Sequence, residues 1–275
     1  MYPSRDRAAA MGQEALRIIE TGEFPTPAGK YVDIGEQVRK AVAGTCSYAP
    51  EAPLPSMPRG GMETCFEVPN ESTLCAARRL VGEGLNPAAL NFASARHPGG
   101  GFLSGARAQE ESLCRSSALY ACLINNPMYA LHRARLDAMY TDYVIYSPDV
   151  PVFRDDHGAL LADPYFCSFL TCPAVNAKVV LVRDRSRGPA IRAAMGARIE
   201  RVLQVSVVHG HDTLILGAWG CGVFGNDCRQ VAELFHRSLT SGFHGAFARV
   251  VFAVLDSSSE RRFIQPFLDR FGVSS

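Results

Sequence analysis

This sequence is poor in the features that sort proteins quickly. Its basic and acidic residues nearly cancel, 28 Lys plus Arg against 27 Asp plus Glu, for a net charge of +1 with His neutral. So even a balance excludes the broad basic footprint of a general nucleic-acid binder and leaves room only for a local patch. Nine cysteines are present, Cys46, Cys65, Cys75, Cys114, Cys122, Cys167, Cys172, Cys221 and Cys228, and no two form a C-x-x-C pair. Zinc ribbons and thioredoxin-like motifs are therefore unsupported. The odd count and the mostly apolar settings read as free thiols in a reducing compartment. No stretch approaches the roughly 18 apolar residues of a membrane span. The opening MYPSRDRAAAMGQEALRIIE spreads charge through itself and lacks an apolar signal-peptide core. There is no internal repeat, no low-complexity linker, no H-x-x-x-H and no Lys-Ser/Thr ending of a P-loop. The expectation is a soluble, cytoplasmic, monomeric protein that needs neither metal nor cofactor.

What is present is a chain of 275 residues with 47% hydrophobic and 20% charged content, enough for one large α/β domain. Apolar positions Ala8, Met11, Ala15, Ile18 and Ile19 predict a helix over 4–20. A short strand in KYVDIG and a helix in EQVRKAVAG ending at Gly44 follow. Residues 49–61, APEAPLPSMPRGG, predict a surface loop. TCFEV reads as a strand, and the next segment as a helix with Asn70 as N-cap and Gly82 near its end. AALNFA predicts a buried strand, and Leu113, Tyr120, Leu123 and Ile124 one face of a helix. DYVIYSPDVPVF contains a strand expected to stop at Pro148, and FCSFLTC another strand. A helix over 189–208, a strand in TLILGAW, a helix from Gln230 to Leu239 and a strand in RVVFAVLD complete the alternation. SERRFIQPFLDRF is expected to be a last helix interrupted by Pro266. The alternation implies helices on both faces of a largely parallel or mixed sheet.

Two glycine-rich loops leave predicted strands: Gly99, Gly100 and Gly101, then Gly220-Cys221-Gly222-Val223-Phe224-Gly225. In open α/β sheets ligands bind at the carboxyl ends of strands. Glycine removes the side-chain wall, so backbone N–H groups can approach an anion such as a diphosphate. The second loop also spells G-x-G-x-x-G, which keeps a dinucleotide-dependent oxidoreductase as an alternative. Its candidate ribose-binding acid, Asp256, lies 31 residues beyond Gly225 rather than about 20. Seven residues separate Gly101 from Gln109-Glu110-Glu111 at the start of a helix. At such a junction two adjacent carboxylates can diverge usefully, and a shielded one beside another can stay protonated as a general acid. Asp155 and Asp156 read as a turn rather than a metal-ligand pair.

The stretch NFASARHPGGGFLSGARAQEESLCRSSALY resembles the signature of the poly(ADP-ribose) glycohydrolases, a glycine triplet followed by a spacer and QEE. DYVIYSPDVPVFRDD and LILGAWGCGVFGND are similar to the compact microbial type of that family. The matching blocks spread from about residue 90 to 256, while the first 60 residues match loosely. The resemblance implies a three-layer α/β/α macrodomain with a central mixed sheet, with 1–60 an N-terminal extension packed on a single domain of residues 1–275. It implies hydrolysis of ribose–ribose bonds in poly(ADP-ribose), with ADP-ribosylated proteins as substrates and ADP-ribose as product. Glu111 would be the catalytic acid, and Glu110 would bind ribose hydroxyls. Gln109 would support the loop. Gly99 to Gly101 would line the diphosphate and the attacked ribose, and Gly220 to Gly225 would form the second diphosphate loop, with Val223 and Phe224 packing on the ligand. Asn91 is counted with the substrate-binding residues. One departure is His97, where the type usually has Asn. The alternative within this fold is a module that binds ADP-ribose without cutting it. Direct nucleic-acid or membrane binding is not expected.

Overall fold

The computed structural model describes residues 3–26, 28–54 and 60–272. Helix α1 (Arg5–Thr21) starts at Ser4, whose hydroxyl accepts from the Arg7 N–H, and is followed by a small ribbon, β1 (Glu23–Pro25) with β2 (Tyr31–Asp33). Then come α2 (Gly35–Gly44), β3 (Cys46–Tyr48), β4 (Cys65–Glu67), α3 (Thr73–Gly82) and β5 (Pro87–Phe92). Three short helices follow, α4 (Gln109–Ser116), α5 (Leu119–Leu123) and α6 (Pro127–Arg133), before the long hairpin β6 (Val144–Arg154) and β7 (Leu160–Cys172). The chain ends with α7 (Ala177–Arg183), α8 (Gly188–Val208), β8 (Thr213–Leu216), α9 (Cys228–Thr240), β9 (Arg249–Phe252) and α10 (Gln265–Phe271).

Seven strands form one sheet in the order β3-β6-β7-β5-β8-β9-β4. The β7-β5-β8-β9-β4 portion is parallel, and β3, β6 and β7 pair antiparallel. Successive side chains of a strand point to opposite faces, and the sheet sorts its residues accordingly. Ala88 and Leu90, Leu214 and Leu216, Val250 and Phe252 pack into a core with α7 to α10. Ala89, Ile215 and Val251 between them pack into a second core with α1 to α6. Near-continuous apolar strands buried on both faces are what a parallel sheet requires. The result is the expected three-layer arrangement with a mixed sheet.

Several boundaries differ from the sequence reading. The helix expected through Ile124 is two helices, because Ser117 leaves the spiral to bridge Val152 and the Ala118 N–H donates to the Pro151 carbonyl. Strand β6 does not stop at Pro148. The register against β7 shifts between Ser147 and Val150, and Asp149 adopts φ 43° with its N–H donating to the Ser168 hydroxyl. A bulge absorbs the proline, which has no N–H to give the ladder. Asn70 is not the cap of α3. Ser72 is, accepting from the Cys75 N–H at 3.0 Å, while the Asn70 amide pairs with both backbone groups of Asp256. Pro266 opens α10 in its first turn instead of interrupting a longer helix, where its missing N–H costs nothing. Of the loop expected at 49–61, residues 55–59 lie outside the described residues.

Candidate active site

Strands β5 and β8 are neighbours and parallel, with Ala89 opposite Ile215. Both glycine loops leave the carboxyl ends of these two strands, so the sheet itself sets them side by side. Gly217, where the chain leaves β8, has no room for a side chain. A Cβ there would lie 2.7 Å from the Ala253 carbonyl oxygen and 3.0 Å from the Phe92 ring.

Helix α4 returns its first turn to the end of β5. The Gln109 amide behaves like one more strand rung: Oε1 accepts from the Phe92 N–H at 2.9 Å and Nε2 donates to the Leu90 carbonyl at 2.8 Å. Nε2 also reaches the Thr73 hydroxyl on α3. With Gln109 fixed, the next two side chains reach over the loop after β5. Glu110 Oε2 accepts from the Ser94 N–H at 2.6 Å. Glu111 Oε1 accepts from the Gly101 N–H at 3.0 Å. The Gly100 N–H closes the turn onto the His97 carbonyl. The amides of Gly100 and Gly101 are therefore engaged, that of Gly101 by a carboxylate.

The bareness of the triplet now has a physical cause. Gly99 and Gly100 have φ of 68° and 58°, a region that L side chains avoid. A Cβ on Gly100 would lie 2.3 Å from Glu111 Oε1 and 3.1 Å from Glu110 Oε2. Both carboxylates converge on one glycine. One on Gly99 would meet the Phe102 ring and the Cys114 sulfur near 3.0 Å.

Glu110 is 3% exposed and Glu111 9%. Burial pushes the Glu110 carboxyl well above its ordinary range, against lowering hydrogen bonds from Ser94, Asn91 and Gly99, and the charge of Glu111 adds to the rise. Burial thus biases Glu110 toward the neutral form. Glu110 Oε1, Glu111 Oε2 and Asn91 Oδ1 are buried without a hydrogen-bond partner among the described residues. Buried polar atoms are rarely left so, and three of them at one spot mark a place prepared for a ligand. Asn91 itself is fully buried, its Nδ2 donating to Thr171 on β7.

In the second loop, Gly220 (φ 74°) packs where a Cβ would meet Ala174 and Asn226 at 2.6 Å. The Asn226 amide holds the loop closed, donating to the Val175 and Gly220 carbonyls. Gly225 (φ 68°) abuts Lys178, and the Lys178 N–H donates to the Phe224 carbonyl. Cys221 is buried, Val223 is 80% exposed, Phe224 is half-buried, and Gly222 faces open space. The N–H groups of Gly222, Val223 and Phe224 donate to no backbone or side-chain acceptor among the described residues. The two loops therefore differ: the first holds the acids, and the second presents open amides. Asp256 does not face this loop. Its carboxylate accepts from Ser258, Phe263 and Ile264, and against the cost of burial these bonds hold it at about 2.

Sequence reasoning missed four contributors. Tyr129 on α6 is buried with an unpartnered hydroxyl; burial pushes that hydroxyl well above its ordinary value, and the charge of Glu110 adds to it. His132 is fully buried: Nε2 accepts from the Thr141 N–H, so Nδ1 carries the proton toward the Ala95 carbonyl and pins the loop next to Ser94. Tyr140, a non-glycine residue at φ 53°, lies between Arg96 and Phe224 and so links the loops. Arg115, buried, donates to the Ala106 carbonyl in the spacer. Tyr129, His132 and Tyr140 lie outside the motifs, and Arg115 lies in the QEE stretch without having been given a role there. His97 is exposed, and its backbone shapes the turn. Asp155 Oδ1 accepts from the His157 and Ala159 N–H groups in a turn. Among the described residues, no three or more His, Cys, Asp or Glu side chains are grouped to hold a metal, and no helix is long and apolar enough to cross a membrane.

A pH-dependent cost follows from Glu110. Its carboxyl is raised in the folded state, so above the unfolded value of about 4.3 the folded protein holds more protons than the unfolded one. Stability is full below that value and is lost as pH rises through the folded value. Glu110→Gln, neutral at every pH, should unfold like wild type near pH 4 and be more stable by on the order of 1 kcal/mol at neutral pH. Denaturant titrations of both proteins across pH check this; parallel curves would show that Glu110 carries no such cost.

An α/β/α sandwich with two glycine loops and a buried acid pair at adjacent strand ends is a macrodomain-type hydrolase. The family model "microbial-type PARG, catalytic domain" matches residues 12–155. The chain belongs to this family, the microbial poly(ADP-ribose) glycohydrolases. It is similar to the crystal structure of poly(ADP-ribose) glycohydrolase from Thermomonospora curvata, with 47% identity and a TM-score of 0.92 over 97% of this chain and 100% of that one. The same bacterial protein bound to the inhibitor ADP-HPD matches at 46% identity and a TM-score of 0.89, over 97% of this chain and 100% of that one. The Deinococcus radiodurans enzyme in complex with ADP-ribose matches at 41% identity and 0.81, over 86% of this chain and 98% of that one. Among curated proteins there is no match. The expected family and the mixed α/β/α fold are borne out.

Proposed function

We propose that this chain hydrolyses the ribose–ribose O-glycosidic bonds of poly(ADP-ribose), on ADP-ribosylated proteins, and releases ADP-ribose. The observation that carries the reading is the pair Glu110 and Glu111, each with one oxygen tied to the loop after β5 and the other buried without a partner. The inhibitor and ADP-ribose complexes of its relatives support it.

The second loop takes the diphosphate on the amides of Gly222, Val223 and Phe224, with Val223 and Phe224 against the ligand. The triplet borders the ribose under attack. Glu111 gives its proton to the glycosidic oxygen as the bond from the anomeric carbon breaks, and the cation-like centre is steadied by the neighbouring diphosphate. Water adds to the anomeric carbon, and its proton returns to Glu111. Glu110, biased toward neutrality by burial, holds ribose hydroxyls without adding its own negative charge beside Glu111 as that residue gives up its proton. The nine free cysteines suit a reducing cytoplasm, and a single monomeric domain suffices, since both loops and both acids come from one chain.

The test is to incubate the protein with polymer-modified carrier protein and resolve the products. Shortening of the polymer with free ADP-ribose appearing supports the reading. Intact polymer with bound ADP-ribose would make the protein a reader and sink it.

A further inference from the structure

Beside the first loop lies a run of basic side chains that the reaction does not use. Arg96 stands three residues before Gly99. Its Nη2 donates to the Arg135 carbonyl at 2.8 Å, and Arg133 Nη1 donates back to the Arg96 carbonyl at 2.9 Å. Arg183 Nη1 reaches the Leu136 carbonyl at 3.4 Å, and Arg187 pairs with both oxygens of Asp137 at 3.3 and 3.4 Å. These bonds stitch the segments at 96, 133–137 and 183–187 into one continuous surface. Arg133, Arg135, Arg183 and Arg185 on it are exposed.

Most of these contacts are to carbonyls, which orient a guanidinium without cancelling its charge. Asp137 is paired with Arg187, and Asp184 Oδ1 accepts from Ser186. Arg135 and Arg185 have no acidic partner among the described residues. In a chain whose net charge is +1, so one-sided a patch is a local field rather than a general property. The ridge starts at the site: the Arg96 guanidinium is 6.0 Å from the centre of the Tyr140 ring, which lies 6.2 Å from that of Phe224 in the second loop.

We propose that this arginine ridge is an outer subsite that holds the diphosphates of the polymer beyond the bond being cut. The proposal rests on the glycohydrolase reading. Each further unit of poly(ADP-ribose) brings another diphosphate, so the uncleaved part of the substrate is a regular polyanion leaving the pocket beside the triplet. Guanidiniums fixed by backbone carbonyls match phosphate oxygens with little loss of side-chain freedom. The ridge then selects long polymer over short, through binding and not through the chemical step.

The double variant Arg135→Glu/Arg185→Glu tests it, because neither side chain has a partner to lose. KM for long polymer should rise on the order of tenfold with kcat unchanged, and its salt dependence should flatten by about 1.4 in log–log slope for two lost phosphate contacts. The ADP-ribose dimer, with a single diphosphate beyond the bond, should lose much less than long polymer does. Arg135→Gln/Arg185→Gln should fall between, and it carries the test if the charge reversal impairs folding. Equal losses on dimer and polymer, an unchanged polymer KM, or equally tight competition by single-stranded RNA of similar charge would each overturn the proposal. If wild type cleaves neither substrate, the glycohydrolase reading has failed. The ridge is then judged alone, by filter retention of labelled polymer on wild type against the double variant; equal retention overturns it.

Discussion

Glu111→Gln should lower kcat on poly(ADP-ribose) by about a thousandfold or more, while ADP-ribose affinity changes only a few-fold. General acid catalysis alone contributes about 10²–10⁴, and here one residue is asked both to give a proton to the leaving oxygen and to take one from water. Glutamine keeps the shape and can still accept from the Gly101 N–H that Glu111 Oε1 now uses, so the loop has no reason to move. In the proposed reading free ADP-ribose is held mainly by the second loop, which the substitution does not touch. Calorimetric titration with ADP-ribose beside a polymer-cleavage assay separates the outcomes. A variant that still cleaves at near wild-type rate would remove Glu111 from its role. One that neither cleaves nor binds would make the residue structural.

The second large effect belongs to Gly100→Ala. The added methyl would sit 2.3 Å from Glu111 Oε1, at a φ of 58° that already disfavours any L side chain. The strain costs about 1–3 kcal/mol, and the carboxylate has to swing away from the Gly101 N–H. A misplacement of about 1 Å can cost on the order of a hundredfold, so kcat/KM should fall at least that far together with a lower melting temperature. Gly222→Ala is the matched control. Its Cβ meets nothing within 4 Å and its φ is not in the left-handed region, so stability should stay within about 0.5 kcal/mol. If both alanines behave alike, neither the φ of Gly100 nor its contact with Glu111 explains the glycine there.

The sheet and the site motifs were legible in the sequence because each rests on local pattern. AALNFA and TLILGAW are apolar runs with glycine clusters close behind them, at Gly99 and Gly220, and that punctuation places both loops at strand ends. The QEE junction was legible for the same reason. What the sequence withheld depends on partners far along the chain. The break between α4 and α5 is imposed by a bridge to Val152, and Asn70 is drawn from capping by the backbone of Asp256. Pro148 passes because β7 tolerates a bulge there. Tyr129, His132 and Tyr140 reach the acids and loops only after α6 folds under them. The adjacent carboxylates read from sequence also left open that Glu110 is held toward the neutral form. Depth of burial sets it.

The Gln109 rung has a further meaning for how this protein wears out. Its amide pairs with Leu90 and Phe92 as a neighbouring strand would, so the acids take their coordinates from the stiffest layer of the molecule and not from a surface turn. Heating that loosens outer helices leaves the acids aligned. Loss of turnover should then coincide with collapse of the sheet, and the protein should fail abruptly at one temperature rather than fade over a range below it.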